Sequence, residues 1–161
     1  MYYSYLPSPV GLITLIADED AVHTITFEEQ QPSEEPSSST LSEEAKKQLS
    51  EYFEGKRLEF DFPYRQNGTP FQQIVWNELV KIQIGYPISY TQLSRHLNNP
   101  LAIRAIASAN GKNNLAIVVP CHRVIGHNGD LVGYAGGLWR KQWLLEHEAR
   151  ITGIGQATLI F

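Results

Sequence analysis

The chain opens on alternating apolar and polar positions. In residues 11–29, "GLITLIADEDAVHTITFEE", the alternation runs on both sides of Asp18, Glu19 and Asp20. A period of two interrupted by an acidic tripeptide predicts an antiparallel hairpin. The first 30 residues as a whole read as strands. Residues 31–40 are polar and rich in Pro and Ser, which predicts a loop. A helix is predicted from about Leu41 to Phe53, with apolar residues at 41, 45, 49, 52 and 53. Thr40 and Glu43 supply its capping box and Gly55 its end. "LEFDFPYRQNG", residues 58–68, then predicts a short strand running into a linker.

The second half is punctuated more sharply. Thr69, Pro70 and Gln72 give an N-cap, a first-turn proline and a capping glutamine. The helix they open carries apolar residues at 71, 74, 75, 79 and 82, and Gly85 and Pro87 stop it. Ser89 and Gln92 repeat the capping box for a short helix to about Leu97. "NNP" then predicts a tight turn, with Asn99 capping a third helix, Pro100 at its first position and Gly111 after its end. Two short helices across such a turn predict a helix-turn-helix. In the third helix Ile103 and Ile106 are expected to face the core. Arg104 is the lone long side chain among small residues, unlike a reading helix that offers several polar side chains to the major groove. A buried helix with a solvated arginine fits the same pattern. Residues 115–119, "LAIVV", read as a buried strand ended by Pro120. "GHNGDLVGYAGG" is a glycine-rich loop, and a last helix is predicted over about Leu138–Arg150, with Leu138, Trp139, Trp143, Leu144 and Leu145 as its apolar bulk. The fold class is therefore α+β.

Composition narrows the picture. The chain has 161 residues, 42% of them hydrophobic, enough for one or two small domains and unlike a disordered chain. No apolar run approaches the roughly 18 residues that span a bilayer. The N-terminus lacks the pattern of a secretory signal, and a single cysteine suits a reducing cytoplasm. That lone cysteine builds no thiolate metal site, so no metal is expected. The net charge of −4 hides an asymmetry: residues 1–68 carry 5 basic and 13 acidic side chains, residues 69–161 carry 8 and 4. Only the second half suits a polyanion.

The cysteine is Cys121, in "LAIVVPCHRVIG". A lone cysteine is often a small buried hydrophobe. Here it lies where a predicted strand gives way to a loop, next to His122 and Arg123, whose basic character favours a thiolate. Glu148, near the end of the last helix, is disfavoured there by the helix dipole. It is a candidate to orient the histidine in a Cys-His-Glu relay. Both readings stand on the residues alone.

The second half resembles the O6-alkylguanine-DNA alkyltransferases. The resemblance is carried by "ISYTQL", "NPLAIRAIASAN", "KNN", "PCHRVIG", "GYAGG" and "WLLEHE", in that order, from about Thr69 through Glu148. It implies domains at 1–66, like the family's ribonuclease-like α+β domain in length and strand pattern, and at 67–161, a mostly helical alkyltransferase and DNA-binding domain with the helix-turn-helix. It implies direct-reversal repair of double-stranded DNA carrying O6-alkylguanine: minor-groove binding, flipping of the damaged base, and irreversible transfer of the alkyl group to Cys121. It implies no cofactor, no membrane, and a monomer in the cytoplasm. By the same resemblance His122 takes the thiol proton through a water, Glu148 orients and charges the histidine, and Tyr90 assists flipping and protonates guanine N3. Asn113 ties the helix-turn-helix to the cysteine loop. Arg104 enters the base stack, with Ala102, Ala105 and Ser108 against DNA. Tyr134, Ala135, Gly136 and Val124 form the base pocket, the Ala135 amide donating to O6. Leu101 stands where a basic residue is common in the family and Ile103 where alanine is common. The alternatives are a damage-sensing DNA-binding protein without transfer, a thiol hydrolase and a plain transcriptional regulator.

Overall fold

Residues 1–154 are described by the computed structural model of the protein. Three strands, β1 (Tyr2–Ser8), β2 (Gly11–Ala17) and β3 (Val22–Glu28), form an antiparallel sheet in the order β1-β2-β3. The acidic tripeptide makes the β2–β3 turn because Asp18 Oδ1 accepts from the amides of Asp20 and Ala21. This is the local bonding that aspartate offers a turn. Inward positions Ile13, Leu15, Val22 and Ile25 are buried against Ala45, Leu49 and Tyr52 of the helix α1 (Thr40–Phe53). Each such side chain contributes about 1.5–3 kcal/mol by leaving water.

The capping of α1 differs from the expectation. Ser39, not Thr40, is the N-cap: its hydroxyl accepts from the Ser42 amide and Ser42 caps it in return. A serine in extended conformation one residue earlier satisfies an orphan amide of the first turn, and the Glu43 amide goes to the Ser39 carbonyl, so Thr40 enters the helix. No strand forms over residues 58–68. Tyr64 makes only an isolated bridge to Val22, and the amide of Val22 and the carbonyl of Val22 pair with Pro63 and Arg65.

The described residues divide into two compact units, one of residues 1–66 with 114–116, the other of residues 67–113 with the chain from 117. Residues 155–161, the end of the expected second domain, lie outside the described residues. In the second unit α2 (Pro70–Leu79) has the expected Thr69–Gln72 capping box. Its buried face is Val75, Trp76, Leu79 and, beyond the helix, Ile82, whereas Ile74 is exposed. The Trp76 indole N–H donates to the Ala109 carbonyl at 2.9 Å, which commits that side of the helix to the interior.

The helix-turn-helix pair is α3 (Tyr90–His96) and α4 (Ile103–Gly111). Here α3 starts on the expected Ser89–Gln92 box, but α4 starts late. Ala102, not Asn99, stands at the N-cap, and no side chain accepts from the first amides of the helix. The Asn99 carbonyl accepts from the Ala102 amide, closing a turn around Pro100 and Leu101. Proline's fixed φ serves the second position of a β-turn as well as a helix start. Ile106 is fully buried, while Ile103 faces out at the start of the helix.

The largest departure is at 115–119. No strand forms there. Leu115 makes one bridge to Ile25, and the chain then turns, with Ile117 at φ 73°. All five residues are buried. An apolar run reports burial without specifying a ladder. A short parallel pair does form nearby, β4 (Ile88–Ser89) with β5 (Val124–Ile125). The last helix, α5 (Leu138–Thr152), ends at Gly153 in the left-handed region. Leu144 and Leu145 are buried, but Leu138 and Trp139 are exposed. No helix among the described residues is long and apolar enough to cross a membrane.

Candidate active site

Pro120 decides how Cys121 is presented. Its φ of −81° and ψ of 65° close an inverse γ-turn, with the Cys121 amide donating to the Val119 carbonyl at 2.8 Å. Cys121–Arg123 then wind into one 3₁₀ turn, secured by the Arg123 amide on the Pro120 carbonyl. Successive side chains diverge by about 120° in such a turn rather than alternating across a strand. This turn, not the end of a strand, sends Cys121 and His122 along their separate directions. The carboxamide of Asn113 donates to the Val119 carbonyl at 2.8 Å and closes the buried loop that leads to the cysteine.

Cys121, His122, Arg123 and Glu148 are all buried. His122 Nε2 lies 2.7 Å from Glu148 Oε2. Arg123 forks onto the same carboxylate, Nε to Oε1 at 2.8 Å and Nη2 to Oε2 at 3.1 Å, and its Nη1 donates to the Ile82 carbonyl. Burial alone would raise the Glu148 carboxyl. His122 and Arg123 overcome it and hold the group well below the usual carboxylate range. Burial lowers the His122 pKa, against the pull of Glu148. At neutral pH the arrangement is therefore a carboxylate beside a neutral imidazole. The acceptor-only carboxylate requires the proton on Nε2. Nδ1, buried and without a protein hydrogen-bond partner among the described residues, is left as the basic nitrogen.

The thiol differs from the sequence expectation. Burial raises the Cys121 pKa. Hydrogen bonding from Asn113, the charge of Lys141 and hydrogen bonding from Tyr134 work the other way without reversing it. Arg123 does not supply the favourable charge, because its guanidinium is committed to Glu148. The resting group is a thiol that needs a base.

Around this centre, the Asn110 carboxamide donates to the Tyr90 hydroxyl at 3.1 Å and to the Cys121 carbonyl at 3.3 Å. The start of α3, α4 and the cysteine turn thus share one side chain. Burial raises the Tyr90 pKa, so its hydroxyl keeps its proton. Tyr134 has a buried hydroxyl, Val124 is buried on β5, Ala135 is exposed in the loop, and the Gly136 carbonyl accepts from Arg140. Arg104, Ala105 and Ser108 form an exposed face of α4, opposite Ile106, Ala109 and Asn110, and Ala102 is half-buried at its N-cap.

Three contributors escaped the sequence reading: the Arg123 fork, Asn110 and Lys141. The signal for two of them was helical spacing. Asn110 is four residues from Ile106 on the buried face of α4, and Lys141 precedes Leu144, Leu145 and Glu148 on the buried face of α5.

The buried pair sets an acid limit. A group whose folded pKa is depressed contributes stability above its unfolded pKa and loses it as pH falls. This holds for Glu148 and for the buried neutral His122, and both act in the same direction. Resistance to thermal unfolding is expected to weaken progressively from about pH 6.5 downward as the unfolded chain gains protons the folded site resists. Melting temperature against pH checks it, and a flat profile down to about pH 4 contradicts it.

Residues 1–66 match the ribonuclease-like domain of 6-O-methylguanine DNA methyltransferase and residues 70–150 its DNA-binding domain. A methylated-DNA–protein-cysteine methyltransferase of Methanosarcina acetivorans is 42% identical over 153 residues, 92% of this chain and 98% of that protein. The constitutive one of Bacillus subtilis is 40% identical over 144 residues, 84% and 87% of the two chains. The crystal structure of Mycobacterium tuberculosis OGT in complex with DNA superposes with a TM-score of 0.85 at 39% identity, covering 94% of each chain.

Proposed function

This chain belongs to the 6-O-methylguanine DNA methyltransferase family and is a direct-reversal DNA repair methyltransferase, and we propose that its substrate is O6-alkylguanine in duplex DNA and its acceptor Cys121. The observation that carries the reading is the buried thiol next to a neutral imidazole whose Nε2 is engaged by an ionised carboxylate.

The chemistry follows from those states. The thiol proton leaves for His122 Nδ1 through a water, and Glu148 stabilises the imidazolium that results. The sulfur forms a bond to the alkyl carbon as the bond from that carbon to O6 breaks, and the electron pair goes to the guanine. Tyr90, held protonated, is the donor for N3, and the Ala135 amide is the donor at O6. In net terms a proton replaces the alkyl group on the base and Cys121 becomes a thioether. A thioether is not readily hydrolysed, so each molecule acts once. Tyr134, Gly136 and Val124 enclose the base, and Asn113 keeps the cysteine loop in register with α4.

On the DNA side, the α4 face of Arg104, Ala105 and Ser108, with Ala102, is the surface proposed for the minor groove. Small residues permit close approach, and Arg104 is long enough to fill the place of a flipped base. Arg104→Ala is expected to slow transfer from duplex DNA about 10²-fold, the kinetic equivalent of the few kcal/mol needed to unstack a base. Transfer from the free alkylated base should be unchanged. Equal slowing of both would remove the role. The domain division at 66/67 and a monomer in a reducing cytoplasm, where the sole cysteine keeps its thiol, complete the reading.

The test is an intact-mass measurement after incubation with duplex containing O6-methylguanine. One methyl, about 14 Da, gained per chain and no second turnover is the expected result. Tight binding without a mass change would favour the damage-sensing alternative, and repeated turnover would exclude an acceptor.

A further inference from the structure

The turn Tyr134-Ala135-Gly136-Gly137 is closed by the Gly137 amide, which donates to the Tyr134 carbonyl at 2.9 Å. In a trans peptide the carbonyl and the amide that follows it point opposite ways. Fixing the Tyr134 carbonyl inward therefore turns the Ala135 N–H outward, where it makes no hydrogen bond among the described residues. Two further holds come from the first turn of α5. The Gly137 carbonyl accepts from the Arg140 and Lys141 amides at 3.2 and 3.3 Å, with Gly137 at φ 92°, a conformation open to glycine. The Gly136 carbonyl accepts from Arg140 Nη1 at 2.8 Å. The guanidinium lies over the Trp139 ring, 4.6 Å from its centroid. The same ring lies against Gly137, where a Cβ would meet Trp139 Cδ1 at 3.4 Å. The helix start uses only the Gly137 carbonyl. The bond to Gly136 is additional, and it comes from an arginine that is 5% exposed. Arginine is rarely buried to that degree, and its planar fork of donors fixes a geometry where an apolar side chain only fills space.

We propose that Arg140, seated on Trp139, is a positioning residue for alkyl transfer: by holding the Gly136 carbonyl it sets the plane of the turn and so the direction of the Ala135 amide. The proposal rests on the reading of Ala135 as the donor at O6. A turn held only by its closing bond can rock about that bond. Arg140 and Trp139 remove the freedom by gripping the two glycines on its far side. Negative charge gathers on the guanine only as the bond from O6 to the alkyl carbon breaks. A donor already aimed at that oxygen therefore counts for more in the transition state than in the bound substrate. Arg140 acts through the turn rather than on the base.

The test exchanges the acceptor atom. Two duplexes are compared in the full-length protein, one carrying O6-methylguanine and one carrying 6-(methylthio)guanine, where sulfur, a weak acceptor, replaces O6. In both, the Cys121 sulfur bonds to the methyl carbon as that carbon's bond to the base breaks. Single-turnover rates at saturating duplex are followed by intact mass. Arg140→Met keeps the buried bulk and removes the donors. It is expected to slow transfer from the oxygen substrate about tenfold and from the sulfur substrate by no more than about twofold. The preference for oxygen over sulfur therefore shrinks. Duplex affinity should hold, as should the reaction of Cys121, the only cysteine, with iodoacetamide, which needs no donor at a guanine. Arg140→Lys retains a donor for the Gly136 carbonyl and should restore most of the preference. A folded Arg140→Met that slows both duplexes equally, or slows iodoacetamide as much, overturns the proposal. Should that variant fail to fold, Trp139→Ala decides, because Trp139 is exposed. It should shrink the preference about threefold, the weight of one cation–π contact, and an unchanged preference overturns the proposal. A natural chain that takes methyl from neither duplex sinks the repair reading and this proposal with it. Equal slowing in a chain that does transfer sinks this proposal alone.

Discussion

Cys121→Ser is expected to bring methyl transfer below detection, a loss of at least about 10⁴-fold. The reason is the difference between a thiol and a hydroxyl in the same buried place. Burial raises the Cys121 pKa, yet a thiol stays within reach of a neutral imidazole as base. A buried serine hydroxyl does not, and its oxygen is a harder, poorer nucleophile toward an alkyl carbon. The fold should tolerate the change, because the side chain is small and a hydroxyl can accept from the same hydrogen-bond donors that face the sulfur. The measurement is intact mass after incubation with methylated duplex, beside a melting curve. A mass gain on the folded serine variant would move the acceptor to another residue.

Glu148→Gln is expected to lower both stability and transfer. Glu148 receives Nε2 of His122 and the fork of Arg123 at once. An amide offers one oxygen where two are used and turns its N–H groups toward donors. Arg123 is left buried without its counter-charge, which typically costs about 3–5 kcal/mol, or about 10 °C in melting temperature for a chain of this size. Transfer falls for a separate reason: without an acceptor-only partner, His122 loses the tautomer that leaves Nδ1 basic. The two effects can be separated. Arg123→Met combined with Glu148→Leu removes the whole pair and should recover most of the stability. It should recover no transfer. Activity in the double variant, or full stability in Glu148→Gln, would contradict this account.

Legibility in the sequence followed the kind of signal. Capping boxes at Thr69–Gln72 and Ser89–Gln92 were readable because they are short-range hydrogen bonds between neighbours. The hairpin around Asp18 was readable for the same reason. Residues 115–119 were misread because apolarity reports burial and says nothing about φ, and Ile117 at 73° was invisible. Pro100 was misread because proline's fixed φ fits two local structures, and only the Asn99–Ala102 hydrogen bond chooses between them. At the site, Cys121, His122 and Glu148 stood out by type and order. Arg123 was noticed and given the wrong partner, since adjacency to the thiol in sequence suggested adjacency in space. Asn110 and Lys141 are ordinary polar residues until the helix face they occupy is known.

The short return of residues 114–116 to the first unit has a practical result. β3 is the last strand of its sheet, and its outer edge is covered at its start by residues 63–65 and at its middle by this tripeptide. The Ile25 amide donates to the Asn114 carbonyl at 2.8 Å, and the Ala116 amide returns to the Ile25 carbonyl at 3.0 Å. A fragment cut after Gln66 would keep its helix and sheet but leave half of that border bare. Bare borders recruit strands from other molecules. Such a fragment is therefore a poor candidate for separate production, and a split at this position should yield halves that aggregate or reassemble rather than two independent soluble pieces.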